Sequence, residues 1–262
     1  MPKIAVTGKG GVGKTTLASL LALIYAEKGA NVLAVDVDPA PCLADALGFP
    51  PELTADLVPI AQMDDLILER TGAEPGTSGG LFRLNPRVDD LPDRYSVTHR
   101  GIRLLELGAV EVGGSGCICP ESAMLKALIT HLVFYRDDLL IMDMYAGVEH
   151  LGRATAGMVD AMLVVAEPGK RSLGTARLIA KLARDIGIKN LFLVGNKMRG
   201  EEDVEFLLGN NPGLPVLGTL PAAPAAVEAD ISGIPVYDAV PEMAAAARDM
   251  VLELERVARV AQ

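Results

Sequence analysis

No apolar run in the chain is long enough to span a bilayer. Hydrophobic residues fill 50% of the 262 positions, but stretches such as Ile4–Thr7, Val32–Val35, Leu139–Met142 and Met162–Val165 are only strand length, against the ~20 residues a membrane helix needs. A charged leader with a longer apolar core and cleavage site is also lacking. MPKIAVTGKGG enters a strand and a glycine loop at once, so the expected compartment is the cytoplasm. Cysteine is scarce, with three in the whole chain. An odd number of thiols in a reducing compartment is a poor disulfide framework and gives weight to metal or reactive chemistry. Positive charge is short as well: the formal net charge is −10. That argues against non-specific binding to DNA or anionic membranes, both of which need clustered Lys and Arg. Small molecules, metal ions and proteins remain as partners.

What is present is an alternation of short β-branched runs with longer amphipathic ones. Strands are expected near Ile4–Thr7, Val32–Asp36, Ile102–Gly108, Leu139–Asp143, Met162–Ala166, Leu191–Asn196 and Val216–Leu220. Helices are expected near Thr15–Lys28, Pro120–Tyr135, Leu173–Ile186, Asp203–Gly209 and Glu242–Val260. Continuous apolar strands separated by helices imply an α/β fold, a mostly parallel sheet covered on both faces. One three-layer domain over residues 1–262 is the expectation. Residues 49–101 break the rhythm with prolines at 50, 51, 59, 75, 86 and 92 and a glycine-rich EPGTSGG. They read as an irregular, insertion-like segment with one helix near Met63–Thr71, of the kind that is usually functional or mobile.

GKGGVGKTT, residues 8–16, follows the first strand and opens the first helix. This is the context a P-loop requires. Backbone N–H groups of Gly8, Gly10, Gly11, Val12 and Gly13 and of the helix start cradle phosphate oxygens; Lys14 neutralises the β and γ phosphates, and the Thr15 hydroxyl, beside Thr16, binds Mg²⁺. Asp143 ends the apolar strand in LLIMDMYAG, the place of a carboxylate that reaches Mg²⁺ through water. Asp36 and Asp38 in VDVDPAPCL end the second strand, at the edge of an α/β sheet that faces the ligand crevice.

Lys9 has no use in an ordinary P-loop, because its side chain would point away from its own phosphate cradle. GKGGVGKT resembles the deviant Walker A motif of the MinD, ParA and nitrogenase iron-protein class of P-loop NTPases. The resemblance implies a catalytic Lys9 that crosses to the partner's nucleotide in an ATP-dependent homodimer. It also implies that Asp38 orients or deprotonates the attacking water, that Asp36 supports the Mg²⁺ shell, and that Ala146 and Gly147 form the switch sensing the γ-phosphate. Asn196 and Lys197 in LVGNKM stand where related ATPases hydrogen-bond the adenine edge; the final aspartate of the guanine-specific NKxD is absent, which favours ATP and ADP. GTLPAAPAAVEADISGIPV resembles the segment lying against the adenine. Its alanines in place of the usual acidic residue imply backbone contact through Leu220, Pro221 and Ala222.

Residues 113–121, GGSGCICPE, hold two of the three cysteines. In an extended segment residues i and i+2 project to one side, so Cys117 and Cys119 can present sulfur to one point. Two thiolates leave a tetrahedral metal half coordinated, and a two-fold dimer would supply four. The same residues also fit two small buried positions at a helix start, with Pro120 as its first residue. Cys42 reads as a packed small hydrophobe, and His131 and His150 as structural.

GGSGCICPES, the preceding ERTGAEPGTSGGLFRLNPRVDDLPDRYSV and DMYAGVEHLGRATA resemble the nickel-insertion accessory ATPases of carbon monoxide dehydrogenase, the CooC group, over the whole chain. The resemblance implies a metal ion, Ni²⁺ in function and Zn²⁺ as an alternative occupant, held between protomers by Cys117 and Cys119. The client would be carbon monoxide dehydrogenase or a related nickel enzyme such as acetyl-CoA synthase, with no nucleic acid or membrane partner. Thiolates also suit cluster iron, so an iron–sulfur scaffold or carrier ATPase of the same class is the alternative. A membrane-binding relative would need a terminal helix with bulky apolar and basic faces; RDMVLELERVARVAQ has no aromatic and balanced charge.

Overall fold

The computed structural model describes residues 2–76, 81–108, 119–145 and 159–260, with residues 258–260 by backbone alone. Eight strands form one sheet in the order β3-β4-β2-β5-β1-β6-β7-β8: β1 (Lys3–Gly8), β2 (Val32–Val37), β3 (Val97–His99), β4 (Ile102–Glu106), β5 (Leu139–Met144), β6 (Ala161–Ala166), β7 (Leu191–Met198) and β8 (Val216–Pro221). All neighbours are parallel except β3 and β4. The α/β class with a mostly parallel sheet is therefore as the sequence implies.

Helices described along the chain are α1 (Lys14–Glu27), α2 (Leu43–Leu47), α3 (Pro51–Thr54), α4 (Asp64–Thr71), α5 (Leu91–Tyr95), α6 (Pro120–Tyr135), α7 (Lys170–Ile186), α8 (Glu201–Gly209), α9 (Pro224–Ile231), α10 (Val236–Ala239) and α11 (Pro241–Val260). Side chains alternate across each strand, so each strand feeds two cores. Ala5, Leu33, Val35, Leu140 and Met142 pack with Leu128 of α6 and Ile179 of α7 on one face. Ile4, Val6, Val32, Ala34 and Ile141 pack with Leu20 of α1 and Met250 of α11 on the other. α1 is buried almost all round, from Leu17 to Tyr25, because it lies between the sheet and α11. α7 buries Ser172 and the apolar stripe Leu173, Ala176, Ile179, Ala180 and Ala183, the i, i+3, i+7 pattern of a surface helix.

The segment 49–101 is more structured than its prolines imply. Besides α4 it contributes α3, α5, a short 3₁₀ turn at Ile60–Gln62 and the antiparallel edge strand β3. Buried Ile60, Ile67, Val88 and Leu91 join it to the α6 side of the core, so in the described residues it is packed chain.

Opposite the crevice, Asp138 ties the sheet's other end together. Its buried carboxylate accepts from Asn31 Nδ2 at 2.5 Å, Arg103 Nη2 at 2.6 Å and Arg136 Nε at 2.6 Å. Asp138→Ala would leave Arg103 and Arg136 with only the exposed Asp93 as a carboxylate partner, and losing the buried partner costs about 3 kcal/mol. Urea denaturation is expected to show a loss of that size; a loss under ~1 kcal/mol, the range of exposed pairs, would remove the network's structural role.

Candidate nucleotide and cation site

β1 is central, with β5 on one side and β6 on the other, and the crevice lies beyond the carboxyl ends of these strands. Gly8–Thr16 fills it. Gly13 has φ 92°, and a Cβ there would lie 2.1 Å from Asn196 Nδ2; Gly8 has φ 155°, and a Cβ would lie 2.5 Å from the Val165 carbonyl oxygen. Both turns need glycine. No side chain caps the N-terminus of α1. Its first-turn amides are thus left for an anion, which the helix dipole also favours.

The end of β7 grips the loop from behind. Asn196 Nδ2 donates to the Val12 carbonyl at 2.8 Å, and its Oδ1 accepts the Lys197 amide at 2.8 Å. Lys197, at φ 59°, sends Nζ to the Gly11 carbonyl at 2.7 Å. One N–H of the Asn196 amide thus holds the P-loop, a task beyond the adenine contact implied by its motif. It still lines a cavity of ~660 Å³ together with Gly13, Thr16, Lys197, Pro221 and Ala222. Leu220 is wholly buried in the core instead, and the Ala222 amide is taken by the Met198 carbonyl at 2.8 Å. Of the three expected adenine neighbours, two reach the cavity wall.

Parallel register sets the acids in a row. Asp36 is opposite Glu106 on β4 and opposite Asp143 on β5, and all three are buried. They follow the strand positions that pack against α1, so they face its N-terminus. Thr15 Oγ1 donates to Asp143 Oδ2 at 2.5 Å, while Asp143 Oδ1 is buried with no hydrogen-bond partner among the described residues. Burial pushes the Asp143 carboxyl up to about 7, helped by the charges of Asp36 and Asp38 and opposed by the Thr15 hydrogen bond and Lys14. An orphaned oxygen in an acidic cluster beside a hydroxyl fits Mg²⁺, which takes oxygen ligands and would neutralise the row. Thr15 and Asp143 would hold it; bound there, Mg²⁺ supplies positive charge to the phosphates.

Asp36 works mainly as a scaffold. Its oxygens accept the amides of Asp38 at 3.0 Å, Cys42 at 2.9 Å and Leu43 at 2.9 Å; burial raises its pKa against these bonds. Asp38 is half-buried, with Oδ1 accepting the Ala40 amide at 3.0 Å. Lys9 is half-buried and Lys14 buried.

Cys42 corrects an expectation. It is exposed, because the Asp36-bound turn through Pro39 and Pro41 carries it out to the crevice, where its Sγ lies 3.5 Å from Thr15 Oγ1. Glu106 was not anticipated as a site neighbour, although IRLLE ends in an acid as LLIMD does. Burial, with the charges of Asp36 and Asp45, lifts its carboxyl to about 7.

Cys119 lies at the start of α6, in extended backbone just before Pro120. It is buried, donates to Ser122 Oγ at 3.1 Å, and is raised in pKa by burial. This is the helix-start placement, and it lines a groove of ~660 Å³ shared with Lys126 and His131. The half-buried His131 stacks on Tyr135 with ring centroids 5.7 Å apart. Cys117, Ala146, Gly147 and His150 lie outside the described residues; Tyr145, at the end of β5, is exposed. No group of three or more metal-ligating side chains occurs among the described residues.

Residues 3–236 match the model of the CobQ/CobB/MinD/ParA nucleotide binding domain. The chain belongs to this family. It is 46% identical over 239 residues, 91% of this chain and 90% of the relative, to the carbon monoxide dehydrogenase accessory protein CooC of Rhodospirillum rubrum. It is also 46% identical over 236 residues, 89% of this chain and 90% of the relative, to an ATP-binding protein of Methanocaldococcus jannaschii. Among solved structures, the septum site-determining protein MinD of Pyrococcus horikoshii, complexed with Mg-ADP, superposes with a TM-score of 0.66 at 20% identity, covering 99% of this chain and 98% of that one. At that identity the likeness is one of fold. Family membership carries nucleotide binding to this chain.

Two outcomes follow from the geometry. Asn196→Ala would release the loop carbonyl of Val12 and lower ADP affinity about tenfold, roughly 1.4 kcal/mol, in a titration with a fluorescent ADP analogue; unchanged affinity would remove the grip. Glu106 ionises near pH 4.3 unfolded but at about 7 folded, so the folded chain keeps a proton that the unfolded chain gives up, and stability falls as pH rises through that window. Glu106→Gln should therefore gain about 1–2 kcal/mol on wild type between pH 5 and pH 8, after solvent screening. Urea denaturation at both pH values checks it, and an equal difference at both would contradict it.

Proposed function

We propose that the chain is an ATP-hydrolysing maturation factor that delivers nickel to carbon monoxide dehydrogenase or a related nickel enzyme, acting in the cytoplasm as a nucleotide-dependent homodimer. The observation that carries this reading is 46% identity over 91% of the chain to a carbon monoxide dehydrogenase accessory protein, in a chain that also holds Cys117-Ile118-Cys119. Lys14 and the first-turn amides of α1 would bind the phosphates, Asp38 would direct water at the γ-phosphate, and Lys9 would reach the partner's nucleotide. ATP is split to ADP and phosphate. Closure would bring the Cys117 and Cys119 thiolates of two protomers round one ion, the cargo.

The physical requirement is that metal affinity differ between nucleotide states, since a ligand shifts an equilibrium only through differential affinity. Cys119 is buried in the structure, so the start of α6 must open for its sulfur to serve as a ligand. That makes closure and metal binding a single conformational step in this reading. The thiol pair also favours cluster iron, and metal analysis of the anaerobically purified protein separates the two readings.

With excess Mg²⁺ present, equilibrium dialysis is expected to find one more Ni²⁺ per dimer in wild type than in Cys117→Ser/Cys119→Ser; equal stoichiometry and affinity in the two would end the cysteine model. Lys9→Ala is expected to stay monomeric with ATP where wild type doubles in mass by light scattering. A dimer in both would remove the crossed lysine.

A further inference from the structure

The thiol of Cys42 is outside every role given so far, and its position is informative. Thr15 has one hydroxyl proton, which goes to Asp143 Oδ2 at 2.5 Å. With that proton placed, the hydroxyl oxygen can only accept from Cys42 Sγ at 3.5 Å, so the thiol donates and the three groups form a chain, S–H to O–H to carboxylate. At the far end, Asp143 Oδ1 is buried, in a residue 2% exposed, and lacks a partner among the described residues. Two ligands at right angles on one ion, an oxygen about 2.1 Å and a sulfur about 2.3 Å from it, lie roughly 3.1 Å apart. The observed separation of 3.5 Å is close to that span. Cys42 is held there by backbone: its amide and that of Leu43 both bond to Asp36 Oδ2.

We infer that Cys42 is a ligand of the nucleotide's cation site, and that this site therefore takes a thiophilic divalent cation, of the Zn²⁺, Ni²⁺ or Cd²⁺ class, in competition with Mg²⁺. The inference rests on the reading of Thr15 and Asp143 as that cation site. Carboxylate and hydroxyl donors alone suit Mg²⁺, and a sulfur added to them shifts the preference toward softer ions. On binding, the Cys42 thiol gives its proton to the buffer as the sulfur–metal bond forms. The nucleotide site would then respond to the same class of ion that the proposed function makes the cargo, without using Cys117 or Cys119.

The test uses the full chain with Cys117→Ser and Cys119→Ser, which leaves Cys42 as the remaining thiol of three. With ADP bound, Cd²⁺ titration followed in the ultraviolet is expected to give a thiolate-to-cadmium charge-transfer band that saturates at one ion per chain and is displaced by Mg²⁺. Adding Cys42→Ser is expected to abolish the band and lower the preference for Cd²⁺ over Mg²⁺, read by competitive calorimetry with ADP, by at least about tenfold. Absence of the band in the double-serine chain, a band that Mg²⁺ cannot displace, or an unchanged preference in Cys42→Ser would each overturn the inference. If wild type binds Mg²⁺ and ADP together while the band is absent, the inference alone fails; if it does not bind them at all, the cation-site reading fails with it.

Discussion

Three buried carboxylates, Glu106, Asp36 and Asp143, stand in register on β4, β2 and β5 and face the N-terminus of α1. Placing like charges side by side away from water is costly unless something offsets them. The fold supplies three partial answers. Asp36 is dissolved in backbone amides, Asp143 takes the Thr15 hydroxyl, and Glu106 and Asp143 both have carboxyls raised to about 7. The remaining deficit is positive charge at Asp143, which Lys14 supplies in part and the helix dipole and a bound divalent cation would complete. Nucleotide binding by this fold is in that sense the completion of an electrostatic arrangement already built into the sheet.

The same constraint explains why the crevice is shaped as it is. Parallel strands bring their carboxyl ends to one edge, and glycine at positions 8 and 13 lets the loop come within contact of Val165 and Asn196. Asn196 and Lys197 hold the loop carbonyls of Val12 and Gly11. With those carbonyls held on the β7 side, the uncapped amides of α1 are left for phosphate. The Asp36-anchored turn carries Asp38 and Cys42 round to the same opening, so the catalytic candidate and the unexpected thiol arrive by one device.

Much of this was legible in the sequence because buried parallel strands are continuous apolar runs, and each of the seven expected strands has its counterpart. β3 escaped because it is three half-exposed residues on an edge, and α2, α3 and α5 because four or five residues carry no period. Asp143 was readable from its strand end and the P-loop from its spacing. The tasks of Asn196 and Cys42 were not: one bonds a residue 184 positions away, and the other depends on where a proline turn leads. The sequence leaves Cys119 as a metal ligand or a buried helix start, and its burial beside Pro120 depends on how α6 packs; in the proposed function its sulfur must therefore be uncovered before it can bind metal.

The central claim is that nucleotide state sets metal affinity. Its most direct test is the Ni²⁺ dissociation constant of the wild-type chain, measured by competition with a chromophoric chelator, once with a non-hydrolysable ATP analogue and once with ADP. Coupling of ordinary strength predicts at least a fivefold difference, about 1 kcal/mol. Equal dissociation constants in the two states would contradict the account.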